Sequence, residues 1–292
     1  MAHSRFALLM TAVTAITAIW LTSCGGGGSS PPATAQRKAM GILVPLYAYP
    51  QVSSGSGASQ VAQASPAWTA VASGAALVPT IAIINPASGP VACTNPASAT
   101  LLDFQRGIAQ LHASGVTVLG YVHTSYGQRP QSAVLQDVLT YAQCYGLDGI
   151  FFDEISASAS YASYDAAIAN AARGGIRAPS GAPALVVFNP GTYPEPQVAQ
   201  SADITVMHES ADLNVPAAPA ALAAYPAGRW AYLAFGISQP VQGALSKLFA
   251  DGTGDVYITD QGAGGTDPWT QIATDYVGLV QTIQALNRTA AP

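Results

Sequence analysis

The chain has 292 residues, 50% of them hydrophobic and only 9% charged, enough for a substantial core in one large domain or two small ones. A formal net charge of −5 argues against nucleic acid as a partner.

The first 23 residues read as a processing signal. His3 and Arg5 form a short polar start, 6–20 is an apolar run, and Leu21-Thr22-Ser23-Cys24 follows. The run is short for a spanning helix and fits an export segment. The tetrapeptide has the form of a bacterial lipobox, in which Cys24 becomes the lipidated first residue; an ordinary signal peptide with a coincidental Cys is the alternative. Residues 24–39 then form a lipidated Cys and a Gly/Ser/Pro-rich linker, and 40–292 a single folded domain. The expected location is the bacterial cell envelope, with an N-terminal lipid anchor in the membrane.

From residue 40 onward, short apolar runs of strand type fall at 40–49, 77–85, 116–124, 149–154, 184–189, 204–209, 230–236 and 255–260. Between them the spacing predicts helices. Phe104, Ile108 and Leu111 make one stripe, and Leu135, Val138, Ala142 and Tyr145 a second. Trp269, Ile272, Tyr276, Val280 and Ile283 make a third near the end. Ser238 and Pro240 have the look of an N-cap and first-turn proline for a helix carrying Val241, Leu245 and Leu248. The helices after the first, fifth and sixth strands are poorly marked. Eight such units in about 250 residues predict an α/β protein, a (β/α)8 TIM barrel, with a doubly wound sheet as the rival. The Gly-rich fingerprint of the dinucleotide-binding form of that rival is missing after the first strand.

The strand ends point to chemistry. The run Asp148-Gly149-Ile150-Phe151-Phe152 stops at Asp153-Glu154, two carboxylates at the tip of a strand buried on both faces. An Asp capping the next helix beside a solvated Glu is the plainer reading. Other strands end in Tyr47 and Tyr49, Asn85, His123 and Tyr126, Asn189 and Tyr193, His208 and Glu209, and Asp260. Polar, aromatic and acidic side chains thus gather at the carboxyl end, whereas Arg106, Arg173, Arg177, Arg229, Lys247 and Arg288 fall on helices or in loops leading into strands. Arg129 alone sits clearly on the carboxyl side. An acidic, aromatic, cation-poor cleft suits a neutral or cationic ligand such as a sugar.

Two carboxylates from different strands are the minimum for glycoside hydrolysis: one protonates the leaving oxygen, while the other attacks the anomeric carbon or activates water. Asp153, Glu154 and Glu209 supply them. Tyr47, Tyr126, Asn85, Asn189, His123, His208 and Asp260 are the candidate substrate contacts, although Asn85 and Asn189 equally suit turn chemistry and Asp260 a helix cap. No metal-ligand spacing or nucleophile elbow stands out, and no metal or cofactor is expected. Cys93 is placed in a loop after a strand and Cys144 at a helix end, on opposite faces of a barrel. Two free thiols are therefore predicted, since a bridge needs Cα atoms within about 7 Å.

Val44-Pro45-Leu46-Tyr47, Ile83 to Pro90 (IINPASGP), Leu119 to Gly127 (LGYVHTSYG) and Asp148 to Glu154 (DGIFFDE) together resemble the spherulin-4 family, over about 40–286. The resemblance implies a (β/α)8 barrel related to glycoside hydrolase family 135, whose characterised members cleave α-1,4-linked galactosamine and N-acetylgalactosamine polymers. It places the family's acidic pair on Asp153 and Glu154, and its later Glu on Glu209, with Asp212 as a rival. The expected protein is an endo-acting, monomeric hydrolase of an amino-sugar polysaccharide. A non-catalytic carbohydrate-binding protein on the same barrel is the alternative.

Overall fold

In the computed structural model, residues 38–54 and 61–290 are described. The predicted signal peptide, Cys24 and the linker through residue 37 lie outside them. Eight parallel strands close into a barrel, which settles the fold class in favour of the TIM barrel over the open sheet. In chain order they are β1 (Gly41–Leu46), β4 (Thr80–Ile84), β5 (Thr117–His123), β6 (Gly149–Asp153), β7 (Leu185–Phe188), β8 (Ile204–Ser210), β9 (Trp230–Ala234) and β10 (Asp255–Ile258). Each predicted apolar run became one barrel strand, because strands covered on both faces need apolar side chains at successive positions. In β1, all six residues are buried.

The loop after β1 carries an antiparallel hairpin, β2 (Gln51–Ser54) and β3 (Val61–Ala64), and then α1 (Pro66–Gly74), capped by Ser65. The outer helices continue with α2 (Ala99–Ala113), α3 (Gln131–Cys144) and α4 (Ala162–Gly175). They end with α5 (Pro196–Ala199), α6 (Gln242–Asp251) and α7 (Tyr276–Thr289). Of the three weakly marked units, the first carries the capped nine-residue α1, and the other two stay weak. The helix after β7 has four residues, and two 3-10 turns, Ala220–Leu222 and Ala227–Arg229, stand in a Pro/Ala-rich strap after β8.

Three helix expectations need correction. The stripe of α3 is Val134, Val138 and Tyr141, shifted from Leu135 and Ala142, which stay half-buried. The helix α6 starts at Gln242, after Pro240, with Val241 as its cap residue and Ser238 outside it. The last stripe is broken at its start: α7 begins at Tyr276 behind an Asp275 N-cap, so Trp269 and Ile272 belong to a loop.

Cys93 and Cys144 form a disulfide, with Cα atoms 6.1 Å apart, contrary to the free thiols expected. The loop after β4 does not stay at the barrel mouth. It runs back along the flank of α3, where Val91 N–H donates to the Tyr145 hydroxyl at 2.9 Å, and this brings Cys93 to the end of that helix.

At the amino end of the barrel, acids act as struts. Asp148 accepts from Val118 N at 2.7 Å and pairs with His112 at 2.8 Å. Asp203 accepts from Val186 N at 2.8 Å and pairs with Arg173 at 3.1 Å, and Asp255 pairs with Lys38 at 3.2 Å. Asn287 of α7 clamps the entering chain, donating to Met40 O and accepting from Met40 N, both at 2.9 Å. Asp165, inside α4, is a different case: it is buried, its Oδ2 has no partner among the described residues, and burial pushes its carboxyl up to about 7.

Candidate active site

At the carboxyl end, Asp153 closes β6 and Glu209 sits near the end of β8, two strands away around the barrel. A register shift between Val206 and His208 precedes Glu209. Such bulges re-aim side chains near barrel rims.

Asn189, one residue past β7, lies between the two acids. Its Nδ2 donates to Asp153 Oδ1 at 2.7 Å and also to Glu209 Oε2. Its own Oδ1 accepts from Gly191 N at 3.0 Å, which fixes the amide with its nitrogen toward the carboxylates. Two oxygens bonded to one nitrogen are separated by at most about 6 Å, the sum of two hydrogen bonds. The Tyr121 hydroxyl donates to Asp153 Oδ2 at 2.9 Å, and the Trp269 side chain, a neutral donor, lowers the Glu209 carboxyl. Tyr47 stands edge-on to Tyr121, with ring centroids 5.6 Å apart.

The donors around the two acids are therefore neutral. The one cation expected on this side, Arg129, turns away to Asp137 Oδ2 at 2.7 Å and to the His123 carbonyl at 3.1 Å. Burial and then the Asp153 charge push the Glu209 carboxyl up to about 7, against the opposing pull of Asn189 and Trp269. Burial also raises Asp153, while the bonds from Tyr121, the Glu154 backbone and Asn189 hold it down. The hydroxyls of Tyr47 and Tyr121 stay protonated, since burial and then the Asp153 charge raise both.

Backbone geometry at this rim is unusual. Glu154 has φ +54°, and Ser125 and Tyr126 have φ +50° and +54°, a left-handed region that non-glycine residues enter at a cost. Bonds across the rim hold these turns. Tyr126 N donates to Glu154 O at 2.6 Å, Thr124 Oγ1 to Glu154 O at 2.7 Å, and Ile155 N to Asn189 O at 3.0 Å. The result is a cleft of ≈ 440 Å³ lined by Tyr126, Asp153, Glu154, Asn189, Glu209 and Phe235, among others.

Of the predicted residues, Asp153, Glu154, Glu209, Asn189 and Tyr126 meet in this cleft, and Tyr47 lies behind the acids. His123 is the register neighbour of Asp153 on β5. Three others go elsewhere. Asn85 Oδ1 accepts from Gly89 N at 2.9 Å and closes a turn. His208 stacks flat on Tyr232, centroids 4.4 Å apart, beside Asp212. Asp260 accepts from Thr274 N at 2.9 Å and fastens the loop leading to α7. Asp212 is engaged with Ser210 and the Asn214 backbone, so Glu209 and not its rival faces Asp153.

Sequence reasoning missed Tyr121, Trp269 and Phe235 as site residues. Tyr121 carried a signal, since it shares a strand face with His123. Phe235 did too, as the first residue past β9. Trp269 carried none, because its spacing matched the helix behind it. No group of three or more His, Cys, Asp or Glu poised to hold a metal ion occurs among the described residues.

Residues 41–283 match the model of spherulation-specific family 4. Spherulin-4 of Physarum polycephalum is 40% identical over 176 residues, 60% of this chain. The match spans 46% of that relative's length, about half. Among solved structures, Aspergillus clavatus Sph3, in complex with GalNAc, is similar with a TM-score of 0.65 and 23% identity. That similarity covers 85% of this chain and 98% of the Sph3 chain, and it extends to the fold.

Proposed function

The chain belongs to spherulation-specific family 4, and we propose on that basis that it is a glycoside hydrolase acting within an α-1,4-linked galactosamine and N-acetylgalactosamine polymer. The observation that carries the proposal is the Asn189 nitrogen shared by Asp153 and Glu209. It supports a separation near the about 5–5.5 Å of retaining glycosidases and below the about 6.5–9.5 Å that inversion needs to admit a water.

Glu209, pushed up to about 7, still holds a proton near neutrality and is the general acid. It gives that proton to the glycosidic oxygen as the bond to the anomeric carbon breaks. Asp153, held in place by Tyr121 and Asn189, either attacks that carbon to form a glycosyl ester or stabilises the developing cation. In the first case Glu209 then takes a proton from the water that hydrolyses the ester, restoring both acids. Glu154 is a substrate contact, and its charge raises the Asp153 carboxyl. Phe235 and Tyr126 offer rings to sugar faces at the rim. The ammonium groups of a partly deacetylated polymer meet carboxylates in a cleft whose one nearby cation is occupied.

The test is release of reducing ends from a partly deacetylated α-1,4-galactosamine polymer. The parent releases them, and Asp153→Asn and Glu209→Gln lose at least about 10²–10⁴-fold in kcat. Parent-like rates in both variants would end the assignment. Polymer binding without reducing ends would favour a non-catalytic carbohydrate-binding protein. Export and lipidation at Cys24 belong to the same proposal. Labelled fatty acid enters the parent and not Cys24→Ala if the lipobox reading is right.

A further inference from the structure

A second groove, of ≈ 770 Å³, opens between the β2–β3 side of the barrel mouth and the loop leading into α7. It shares no lining residue with the acid cleft, and the chain itself links the two. Tyr47 packs edge-on against Tyr121, which donates to Asp153, and the chain neighbours of Tyr47 and Trp269, namely Ala48, Tyr49 and Thr270, line the groove. A hydrogen bond from Tyr47 N to Trp269 O, 3.1 Å long, ties the two walls together at that boundary.

The lining has the character of a sugar site. Tyr49 is 44% exposed, yet its ring is fixed twice: its hydroxyl donates to Asp103 Oδ2 at 2.8 Å, and it packs nearly perpendicular to Phe104, centroids 5.7 Å apart. An exposed aromatic ring that has already lost its rotamer freedom stacks on a ligand at little further entropic cost. The amides of Gln51 and Gln271 lie nearby and offer both donors and acceptors. Neither lysine nor arginine lines the groove, and its Asp275 carboxylate is engaged as the α7 cap through Gly278 N at 3.0 Å.

We infer that this groove is a distal subsite that binds neutral hexosamine residues of the same polymer whose cleavage point lies at Asp153 and Glu209, with Tyr49 as the stacking platform. The inference rests on the proposed hydrolase reading and adds a direction to it: the chain crosses the mouth from the β6–β8 side, past Trp269, toward the β2–β3 side. Such a subsite is felt by long substrates and not by ones too short to reach it.

The experiment compares kcat/KM on the polymer with kcat/KM on a trisaccharide of the same linkage. In Tyr49→Ala the polymer-to-trisaccharide ratio falls about tenfold, the scale of one lost stacking contact, mainly through KM. Tyr49→Phe, which keeps the ring, restores most of it. Gln271→Ala, at an exposed position, lowers the ratio about threefold and covers the case in which Tyr49→Ala fails to fold. Ratios within twofold of the parent in both Ala variants overturn the subsite. If the parent cleaves neither substrate, the hydrolase reading fails, and the groove is judged by NMR titration with N-acetylgalactosamine oligosaccharides. Amide shifts at Tyr49 and Gln271 that vanish in Tyr49→Ala uphold it; unperturbed amides overturn it.

Discussion

The two ends of the barrel give their carboxylates different partners. At the amino end, Asp148, Asp203 and Asp255 each face a cationic or cation-forming partner: His112, Arg173 and Lys38. Asp148 and Asp203 also accept a backbone N–H from a neighbouring strand. At the carboxyl end, Asp153 and Glu209 are surrounded by the neutral donors Tyr121, Asn189 and Trp269. At Asp255 burial outweighs Lys38 and still raises the carboxyl, but a cation favours the ionised form of a neighbouring acid. Neutral donors fix its position while burial and a like charge keep its proton within reach of neutral pH. The chemical difference between the ends is thus one of partners, since the residue types are the same.

The strongest way to break this contrast is to neutralise one acid from each end. Glu209→Gln costs about 10²–10⁴-fold in kcat with the fold retained, whereas Asp148→Ala unfolds more easily, by about 1–3 kcal/mol, with activity per folded molecule kept. Urea titration beside a reducing-end assay separates the two outcomes. A catalytic collapse in Asp148→Ala without loss of stability would erase the distinction.

The disulfide tests the flank between the two ends. The bridge spans 51 residues, and removing it by Cys93→Ser lowers stability by about 4 kcal/mol on the loop-entropy model, read as a lower urea midpoint. Reduction of the parent gives a matching shift, and the variant is insensitive to reductant.

Asn189→Ala removes the shared nitrogen and leaves two buried acids to repel one another. Activity falls about 10–100-fold, a positioning loss, and the basic limb of the kcat profile moves upward from about pH 7. The direction follows from removing a donor that favours ionised Glu209. A basic limb moving downward would contradict the arrangement.

The smallest effect is on stability against pH. Glu209 and Asp165 both have folded-state values of about 7, above those of the unfolded chain. The folded protein therefore binds more protons between about pH 4 and pH 7, so this contribution is complete below about pH 4 and lost as pH rises through 7. Asp165→Asn flattens that decline and adds roughly 1 kcal/mol at pH 8, with kcat unchanged. A stability curve rising between pH 4 and 7, and unaltered by the substitution, would refute the account.

The barrel was legible because its logic is local: a strand buried on both faces must be a run of apolar residues, and eight such runs stand out. The hairpin of Gln51–Ser54 and Val61–Ala64 was not legible, because its strands are short and mostly polar or small. Asp153 and Glu209 announced themselves as acids ending apolar runs. Asn85 and Asn189 looked alike in sequence, each before Pro, and only the fold distinguishes them: one amide closes its own turn and the other reaches across to two strands. Tyr121 was hidden because an aromatic inside a strand reads as core, and Trp269 because a loop residue can match a helical period by chance. The Cys93–Cys144 bridge depended on the path of a long loop, which composition does not specify.

The Asn287 clamp on Met40 and the Lys38 to Asp255 contact place the chain's entry at the foot of the barrel. Lys38 and Met40, at the start of the described chain, are thus fastened at the end of the barrel away from Asp153 and Glu209. A substitution at Asn287 would therefore loosen the start of the first barrel strand from below and leave the hydrogen bonds among Asp153, Asn189 and Glu209 untouched.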